Sequence, residues 1–477
     1  MNNNIGKAFW LTSIIIITLI AMYWLPEISV NGTLLRRINI LADVEKEKYG
    51  NDLTTESEDT LSDLTTIMAD TTISTPTSPT ANKSRVIPQK PDEIVDPYDS
   101  ITGRHEMDHF YEALSYSMER NVRIGYFGDS FIEGDILTQD LRDMLQERFG
   151  GNGVGFVDIA SNIAGFRRSV QLYSKGWNDF NANDAKSKNF ISRLQGINGR
   201  YFIPEETAYV DLRGQKRIYA ERLDTMDVAT MFYTPGDSLK MSIGINGSTP
   251  MLYNNIAVRG DDYIDTVKIT GEIGRIRVNI NKGEYSRFYG IALDGKNGIS
   301  LDNFNMRGST GTLIGNIPER CFRQFAKLRP YDLIILHFGL NVASEKVKNY
   351  SYYTDHFIQT IRYIQSIYPE TSILVIGVGD RASKDANGNL HTMKGVKELL
   401  GYQKKMAEEA GVGFWNMYEA LGGEGCIERM LEKELVNLDY THANYQGGRY
   451  IAEFIFNALI KGKERYDGMT ENASIGN

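Results

Sequence analysis

The sequence predicts an α/β protein: a parallel sheet covered by helices on both faces, an antiparallel β-sandwich domain inserted into it, and an N-terminal transmembrane helix. Three observations carry this. Short apolar runs alternate with helical patterns early and late in the chain, as in strand–helix–strand units. Between about Val170 and Asp294 the pattern changes to brief β-branched and aromatic runs separated by turn residues. At the start, Ala8 to Leu25 is almost wholly apolar and carries no charge.

The chain has 477 residues, enough for two or three domains. A formal net charge of -9 argues against a nucleic-acid partner, because phosphate binding needs a basic surface. Cys321 and Cys426 are the only cysteines, and neither has a neighbour at metal-ligand spacing. A disulfide framework is excluded, and a single bridge between the two is left open.

Ala8–Leu25 is 18 residues long, close to the minimum for a bilayer span, with Trp10, Tyr23 and Trp24 at its ends where amphipathic rings favour the interface. Lys7 precedes it, no small-x-small site follows Ala21, and no cysteine follows for a lipid anchor. The expectation is a single-span anchor (1–26) in the inner membrane, with the folded part in the periplasm or otherwise outside the cytoplasm. Residues 27–97 read as a tether. Thr54 to Ser84 is rich in Thr, Ser, Asp and Pro, lacks aromatic residues, and cannot bury enough surface to offset its ordering entropy.

A helix is expected from about Glu106 to Glu119. It contains His105-Glu106-Met107-Asp108-His109, a formal match to the zinc-protease H-E-x-x-H pattern. The apolar stripe of Met107, Phe110, Tyr111, Leu114 and Met118 points both histidines away from the core, so the pattern reads as a solvated face. Val122 to Phe127 follows as a buried strand, broken at Gly128. A helix then opens at Asp135, an N-cap candidate, with Leu137, Leu141, Leu145 and Phe149 on one face and Gly150 as its stop. Gly150-Gly151-Asn152-Gly153-Val154-Gly155 follows a helix where a dinucleotide fingerprint would join a strand to one, so it reads as a loop.

The first part of the parallel domain is thus placed at 98–169 and the inserted domain at 170–295. In the insertion, Val228–Tyr233, Leu239–Ile245, Thr266–Ile269 and Ile276–Ile280 are strand runs, with turns at Thr234 to Asp237, Asn246-Gly247 and Asn281 to Gly283. Its tyrosines and asparagines (Tyr201, Tyr209, Tyr219, Tyr233, Tyr253, Asn254, Asn255) fit a sugar-binding face or a half-buried strand surface equally well. The second part, 296–465, resumes the alternation with strands at Asp332–Phe338, Ser372–Val378 and Gly413–Met417. Helices carry Phe357, Ile361 and Ile364, then Val396–Ala410.

Ser130 in Gly128-Asp129-Ser130 is the candidate nucleophile. It follows a strand and precedes a helix, where open α/β sheets place ligands and free N–H groups can stabilise negative charge. A second Gly-Asp-Ser, Gly236 to Ser238, leads into a strand run and reads as a plain turn. Among the six histidines, His105 and His109 face solvent, His337 lies inside a strand run, and His356 and His391 lack a nearby acid in suitable context. His442 remains, three residues after Asp439, which can reach its Nδ1 across one turn and fix the tautomer.

Gly128-Asp129-Ser130, Gly308, Gly339-Leu340-Asn341 and Asp439-Tyr440-Thr441-His442 together resemble, in order, the four blocks of the SGNH, or GDSL-type, hydrolases. The resemblance covers roughly Ile101 to Ser169 and Asn297 to Leu459, and implies a three-layer, flavodoxin-like parallel sheet. It implies Ser130 as nucleophile, His442 as base and Asp439 as its orienter. The Ser130 and Gly308 N–H groups and the Asn341 side chain would form the oxyanion hole. The first block lacks the usual leucine, with Phe131 in its place, and the β insertion separates the first two blocks. With an anchor and such an insertion the chain is similar in architecture to exported peptidoglycan and carbohydrate O-acetylesterases. The implied reaction is ester hydrolysis through an acyl-enzyme, with acylated carbohydrate or peptidoglycan as substrate and neither cofactor nor metal required. An O-acyltransferase using the same residues, and a non-catalytic carbohydrate-binding protein, are the alternatives.

Overall fold

The computed structural model describes residues 29–30, 33–34, 90 and 92–475, apart from 185–189, 216–219, 237, 255, 257–259 and 261–262. The predicted span Ala8–Leu25 and most of the tether lie outside the described residues. Among those described, no helix is long and apolar enough to cross a membrane. Ser29–Val30 pairs antiparallel with Thr33–Leu34 in a unit of its own, Met1–Asp70.

The parallel sheet has five strands: β1 (Asn121–Gly128), β2 (Gly298–Asn305), β3 (Leu333–His337), β4 (Ser372–Ile376) and β5 (Gly413–Trp415). Their order is β2-β1-β3-β4-β5, the flavodoxin-like order that the resemblance implies. β2 runs beside β1 from Gly298↔Asn121 to Asn305↔Gly128, and β3 flanks the other side as far as His337↔Gly128. The sequence reading counts four strands here and misses β2. Its Ser300, Asp302, Asn303 and Asn305 break the apolar run, yet Ser300 and Asp302 are buried, and the fold supplies Asp302 with Arg329, Tyr331 and the Phe156 N–H as partners.

The helices of seven residues or more among the described residues are α1 (Asp108–Ser115), α2 (Thr138–Phe149), α3 (Glu319–Leu328), α4 (Ser351–Ile367), α5 (Lys394–Ala410), α6 (Cys426–Glu432) and α7 (Tyr445–Ile475). α7 packs on α1 and α2, while α4 packs on α3 and α5. Right-handed crossovers in this strand order put those two groups on opposite faces of the sheet. β3 and β4 are consequently buried along their whole length.

Two helix boundaries differ from the sequence reading. The helix expected over 106–119 spans only Asp108–Ser115: His105 is taken into a two-residue ladder with Tyr98–Asp99 before its start, and Met118 lies past its end and is exposed. The helix expected from Asp135 begins at Thr138. Residues Ser130–Asp135 form a 3-10 turn interrupted by non-helical Glu133 and Gly134, and Asp135 itself has φ 66°. Asp tolerates that left-handed conformation better than most residues. Its carboxylate is clamped by Arg142 at 2.9 and 3.0 Å, and Arg167 lies 3.2 Å away. Asp135 is thus a buried ion-pair centre and not an N-cap.

Nine strands, starting with Gly155–Val157 and ending with Arg287–Asp294, form one continuous hydrogen-bonded antiparallel network. The sequence reading expects an antiparallel sandwich beginning at residue 170; the antiparallel network begins earlier, at Gly155, and encloses its own core of Val210, Leu212, Ile276, Val278, Phe288 and Ile291, among others. Its other face leans on the parallel domain: Phe156, Tyr201, Phe232, Tyr289 and Ala292 belong to the main core. Strand Arg287–Asp294 is therefore buried on both sides. An ion cluster crosses the same seam. Arg329 donates to Asp294 at 2.7 and 2.9 Å and to Asp302 of β2 at 2.5 and 2.7 Å, and Asp302 also accepts from the Phe156 N–H at 2.8 Å.

The tether's expected end also shifts. Ile94 and Asp96 are buried, and Val95 bridges to Phe414 of β5. Cys321 and Cys426 are both buried free thiols, so the open question of a bridge closes against one.

Candidate active site

β1 and β3 meet at the point where the strand order reverses, and ligands of open α/β sheets bind outside the carboxyl ends of the strands there. Gly128 closes β1, and the chain passes through Asp129 into the 3-10 turn beginning at Ser130. The Asp129 N–H donates to His337 O at 3.3 Å and the Met306 N–H to Gly128 O at 2.8 Å. The exits of β1, β2 and β3 are thereby tied together. These exits carry Ser130, Gly308 and Asn341.

The loop before α7 brings the other two residues. Ser130 Oγ stands 2.8 Å from His442 Nε2, and His442 Nδ1 stands 2.8 Å from Asp439 Oδ2. Asp439 Oδ1 accepts from the N–H groups of His442 and Thr441, at 2.9 and 3.0 Å. Burial opposes ionisation of this carboxyl, but the His442 ring and these N–H donors outweigh it and hold its pKa below the usual value. An ionised Asp439 accepts from Nδ1–H, which leaves Nε2 of the neutral ring to accept the Ser130 hydroxyl proton. The turn is held by Tyr440, whose φ is 57° and whose carbonyl accepts from the Ala382 N–H at 3.2 Å.

Gly308 has φ 78°, and a Cβ there would meet open space, so a side chain would be strained by the backbone and not by crowding. The Asn341 side chain donates to Ser309 O at 3.1 Å, which turns its amide toward the Gly308 turn. An amide has two N–H donors, so one remains for a ligand oxygen.

Beneath the turn lie two buried groups. Asp129 Oδ1 accepts from the Phe131 N–H at 3.0 Å, while Oδ2 has no partner within hydrogen-bonding geometry. Burial pushes the Asp129 pKa up to about 6, against the N–H groups of Phe131, Leu340 and Gly339 and the nearby His442 ring. His337 is buried against Tyr126, Nδ1 to OH 3.0 Å, and Phe131, whose ring meets it edge-on at 5.2 Å. Burial lowers its pKa to about 3, so it is a neutral core histidine. Phe131, the residue that replaces the usual leucine, thus serves packing.

The remaining histidines stay apart from this site. His105 and His109 are half-buried where the sequence reading has them facing solvent. His105 Nδ1 lies 3.1 Å from Asp96 O. Among the described residues, no group of three or more His, Cys, Asp or Glu is placed to hold a metal ion. His356 Nδ1 lies 2.8 Å from Tyr352 O. His391 does have an acid nearby, Glu345 at 3.4 Å, brought from a distant loop. Ser383 Oγ lies 3.1 Å from His391 Nε2 and donates to Glu345 at 2.7 Å; serine and acid thus meet the same ring nitrogen, and no acid orients the imidazole from its other side as Asp439 does for His442.

Two neighbours of the site escape sequence reasoning. The Arg381 guanidinium donates to Leu340 O at 3.1 Å; burial lowers its pKa while the charge of Asp439 raises it. Asn183 donates from its amide to the carbonyl of Arg307, the residue before Gly308. No local pattern marks either residue, because both act on loops distant in sequence.

The strand order is flavodoxin-like, and Ser130, Gly308, Asn341 and the Asp439–His442 pair stand at the carboxyl-end side of that sheet, the arrangement that the SGNH resemblance implies. A solved peptidoglycan O-acetylesterase superposes on it with a TM-score of 0.62 at 18% identity, over 78% of this chain and 99% of that one. Family two carbohydrate esterases from Cellvibrio japonicus and, in complex with cellohexaose, from Clostridium thermocellum align over 62% and 57% of this chain and 99% of each of theirs. At 11% and 12% identity and TM-scores of 0.25 and 0.26, they add nothing to the comparison of folds. No protein-family model and no curated protein matches the chain.

Proposed function

We propose that this chain is a serine ester hydrolase that removes acyl groups, acetyl foremost, from a cell-envelope or other polysaccharide. Ser130 is the nucleophile, His442 the base and Asp439 its orienter. The observation that carries the reading is the unbroken hydrogen-bonded relay from Ser130 through His442 to Asp439, with 2.8 Å at each link. The substrate class is supported by the fold likeness to a peptidoglycan O-acetylesterase.

In this reading Ser130 Oγ attacks the ester carbonyl as His442 Nε2 takes its proton. The carbonyl π electrons move to oxygen, where the N–H groups of Ser130 and Gly308 and the Asn341 amide receive the charge. Collapse expels the sugar alkoxide, which takes the proton from His442. Water, deprotonated by the same imidazole, then releases acetate and regenerates Ser130. Asp439 stays ionised and steadies the imidazolium in both halves. His442 and Asp439 side chains are 37% and 43% exposed. That access supports water as the acyl acceptor over a sugar hydroxyl, since a transferase must keep water from its acyl-enzyme.

Within the same proposal the segment Ala8–Leu25 anchors the enzyme in the inner membrane with its site outside the cytoplasm. The test is acetate release by the purified protein from O-acetylated glycan and from a chromogenic acetyl ester. Release from both, lost together in Ser130→Ala, is the expected result. Transfer to an added sugar at the expense of free acetate would replace hydrolase with transferase.

A further inference from the structure

A polar cleft of about 290 Å³ opens beside the nucleophile turn. One wall is Glu133 and Gly134, in the same turn as Ser130, with Asn305 and Arg307 just before Gly308. The antiparallel sheet supplies the other wall, from the segments around Asp158 to Arg167, Asp179 to Asn183 and Asn198 to Arg200. The volume sits near the lower end of small-ligand sites, about 300–1,000 Å³. It suits one sugar ring better than a chain.

Two features point to a ligand. Asn198 is 4% exposed, and its amide N–H donates to Asp158 Oδ1 at 2.6 Å, which fixes the orientation of the amide. Its Oδ1 is then the acceptor left over, buried and without a partner. Asn305, the last residue of β2, likewise has a buried Oδ1 without a partner. A buried acceptor left unsatisfied costs about 1–3 kcal/mol, so two in one cleft mark where donors from outside belong.

Charge decides the kind of ligand. Each guanidinium of the cleft lies against a carboxylate: Arg167 with Asp135 at 3.2 Å, Arg307 with Glu133 at 3.0 Å, and Arg200 with Asp158 and Asp179 at 3.6 and 3.7 Å. Six asparagines complete the lining. Amides and neutralised ion pairs suit hydroxyl and amide groups and offer little to an anion.

We propose that this cleft is a subsite for a neutral sugar ring of the glycan whose neighbouring residue carries the ester. Ring hydroxyls donate to Asn198 and Asn305 Oδ1, and the bound ring holds the adjacent acylated residue at Ser130. The esterase reading identifies the ligand here, whereas binding itself requires no ester chemistry.

The experiment is calorimetric titration of the full-length protein with fully N-acetylated chitotetraose, a neutral probe that carries no O-acyl ester, and with an oligogalacturonate tetramer as the anionic counterpart. Chitotetraose binds more tightly, and Asn198→Leu and Asn305→Leu each raise its Kd about tenfold, the loss of one hydrogen bond to a buried acceptor. Ala164→Trp, a change at the half-buried rim, fills the cleft and weakens binding by at least as much; it keeps the test decisive if Asn198→Leu does not fold. Tighter binding of the oligogalacturonate, or a chitotetraose Kd within twofold of wild type in Ala164→Trp, overturns the proposal. Ester hydrolysis that persists alongside either result leaves the esterase reading standing. Glycan binding that depends on Asn198 in a protein without esterase activity supports the subsite and overturns the enzyme.

Discussion

The two large sheets of this molecule both contain strands buried on two faces, for different reasons. β3 and β4 lie between helix layers contributed by their own crossovers, so their burial follows from sequence-local units. Strand Arg287–Asp294 is buried because its network curls over one face while the parallel domain covers the other. Strand Arg275–Lys282, away from that seam, alternates instead, with Ile276, Val278 and Ile280 inward and Arg275, Arg277 and Asn279 outward. The parallel sheet thus leaves its strand ends free for chemistry. The antiparallel sheet spends one face on docking and brings its polar loops to the rim of that chemistry.

The sharpest way to break this contrast is at the seam. Arg329 is 2% exposed between Asp294 and Asp302, so Arg329→Met leaves two buried carboxylates without their cation. Breaking such a cluster costs on the order of 3–5 kcal/mol. Urea denaturation of the variant should show one transition at a lower midpoint. Two separate transitions in the wild type would mean that the sheets are independent units.

Next in size, Asn341→Ala should lower kcat by on the order of 10²–10³ with a smaller change in KM, because it removes one oxyanion donor and leaves the relay intact. An equal rise in KM with kcat unchanged would make Asn341 a substrate-binding residue.

A smaller effect separates the site's own strain from general stability. Burial raises the Asp129 pKa from 3.8 to about 6. A raised folded-state pKa means stability that is fully present below the unfolded value and lost as pH rises through the folded one. Relative to Asp129→Asn, the wild type should therefore lose about 2–3 kcal/mol between about pH 4 and pH 6, read from denaturation midpoints across that range. A constant difference would show that Asp129 is not strained by its burial. Smallest of all, Ser238→Ala, in the Gly-Asp-Ser of the antiparallel sheet, should change stability by no more than about 0.5 kcal/mol and leave esterase activity intact.

The contrast also explains what the sequence makes legible. The strands of the parallel domain with unbroken apolar runs are readable, and so is the grouping of Ser130, Asp439 and His442, which the structure brings within hydrogen-bonding distance of one another. β2 is not, because Asp302 looks like a surface residue until Arg329, Tyr331 and the Phe156 N–H meet it in space. Asp135 reads as a helix cap because its arginines, Arg142 and Arg167, are visible only once the turn folds under them. The second core is legible as strands but not as one network. Register across nine strands depends on long-range pairing, such as Phe288 against both Tyr233 and Phe202. Asn183 and Arg381 are invisible for the same reason: each reaches the site from a loop far away in the chain.

The account stands on Ser130, His442 and Asp439 acting as one unit. The most direct measurement is labelling of the full-length protein with a serine-directed phosphonate, with the modified residue located by mass spectrometry. The predicted result is one adduct, on Ser130, whose formation His442→Ala slows by several orders of magnitude, on the order of 10⁴–10⁶, in parallel with esterase activity. An adduct on another serine, or a His442→Ala variant that labels and hydrolyses at the wild-type rate, would contradict it.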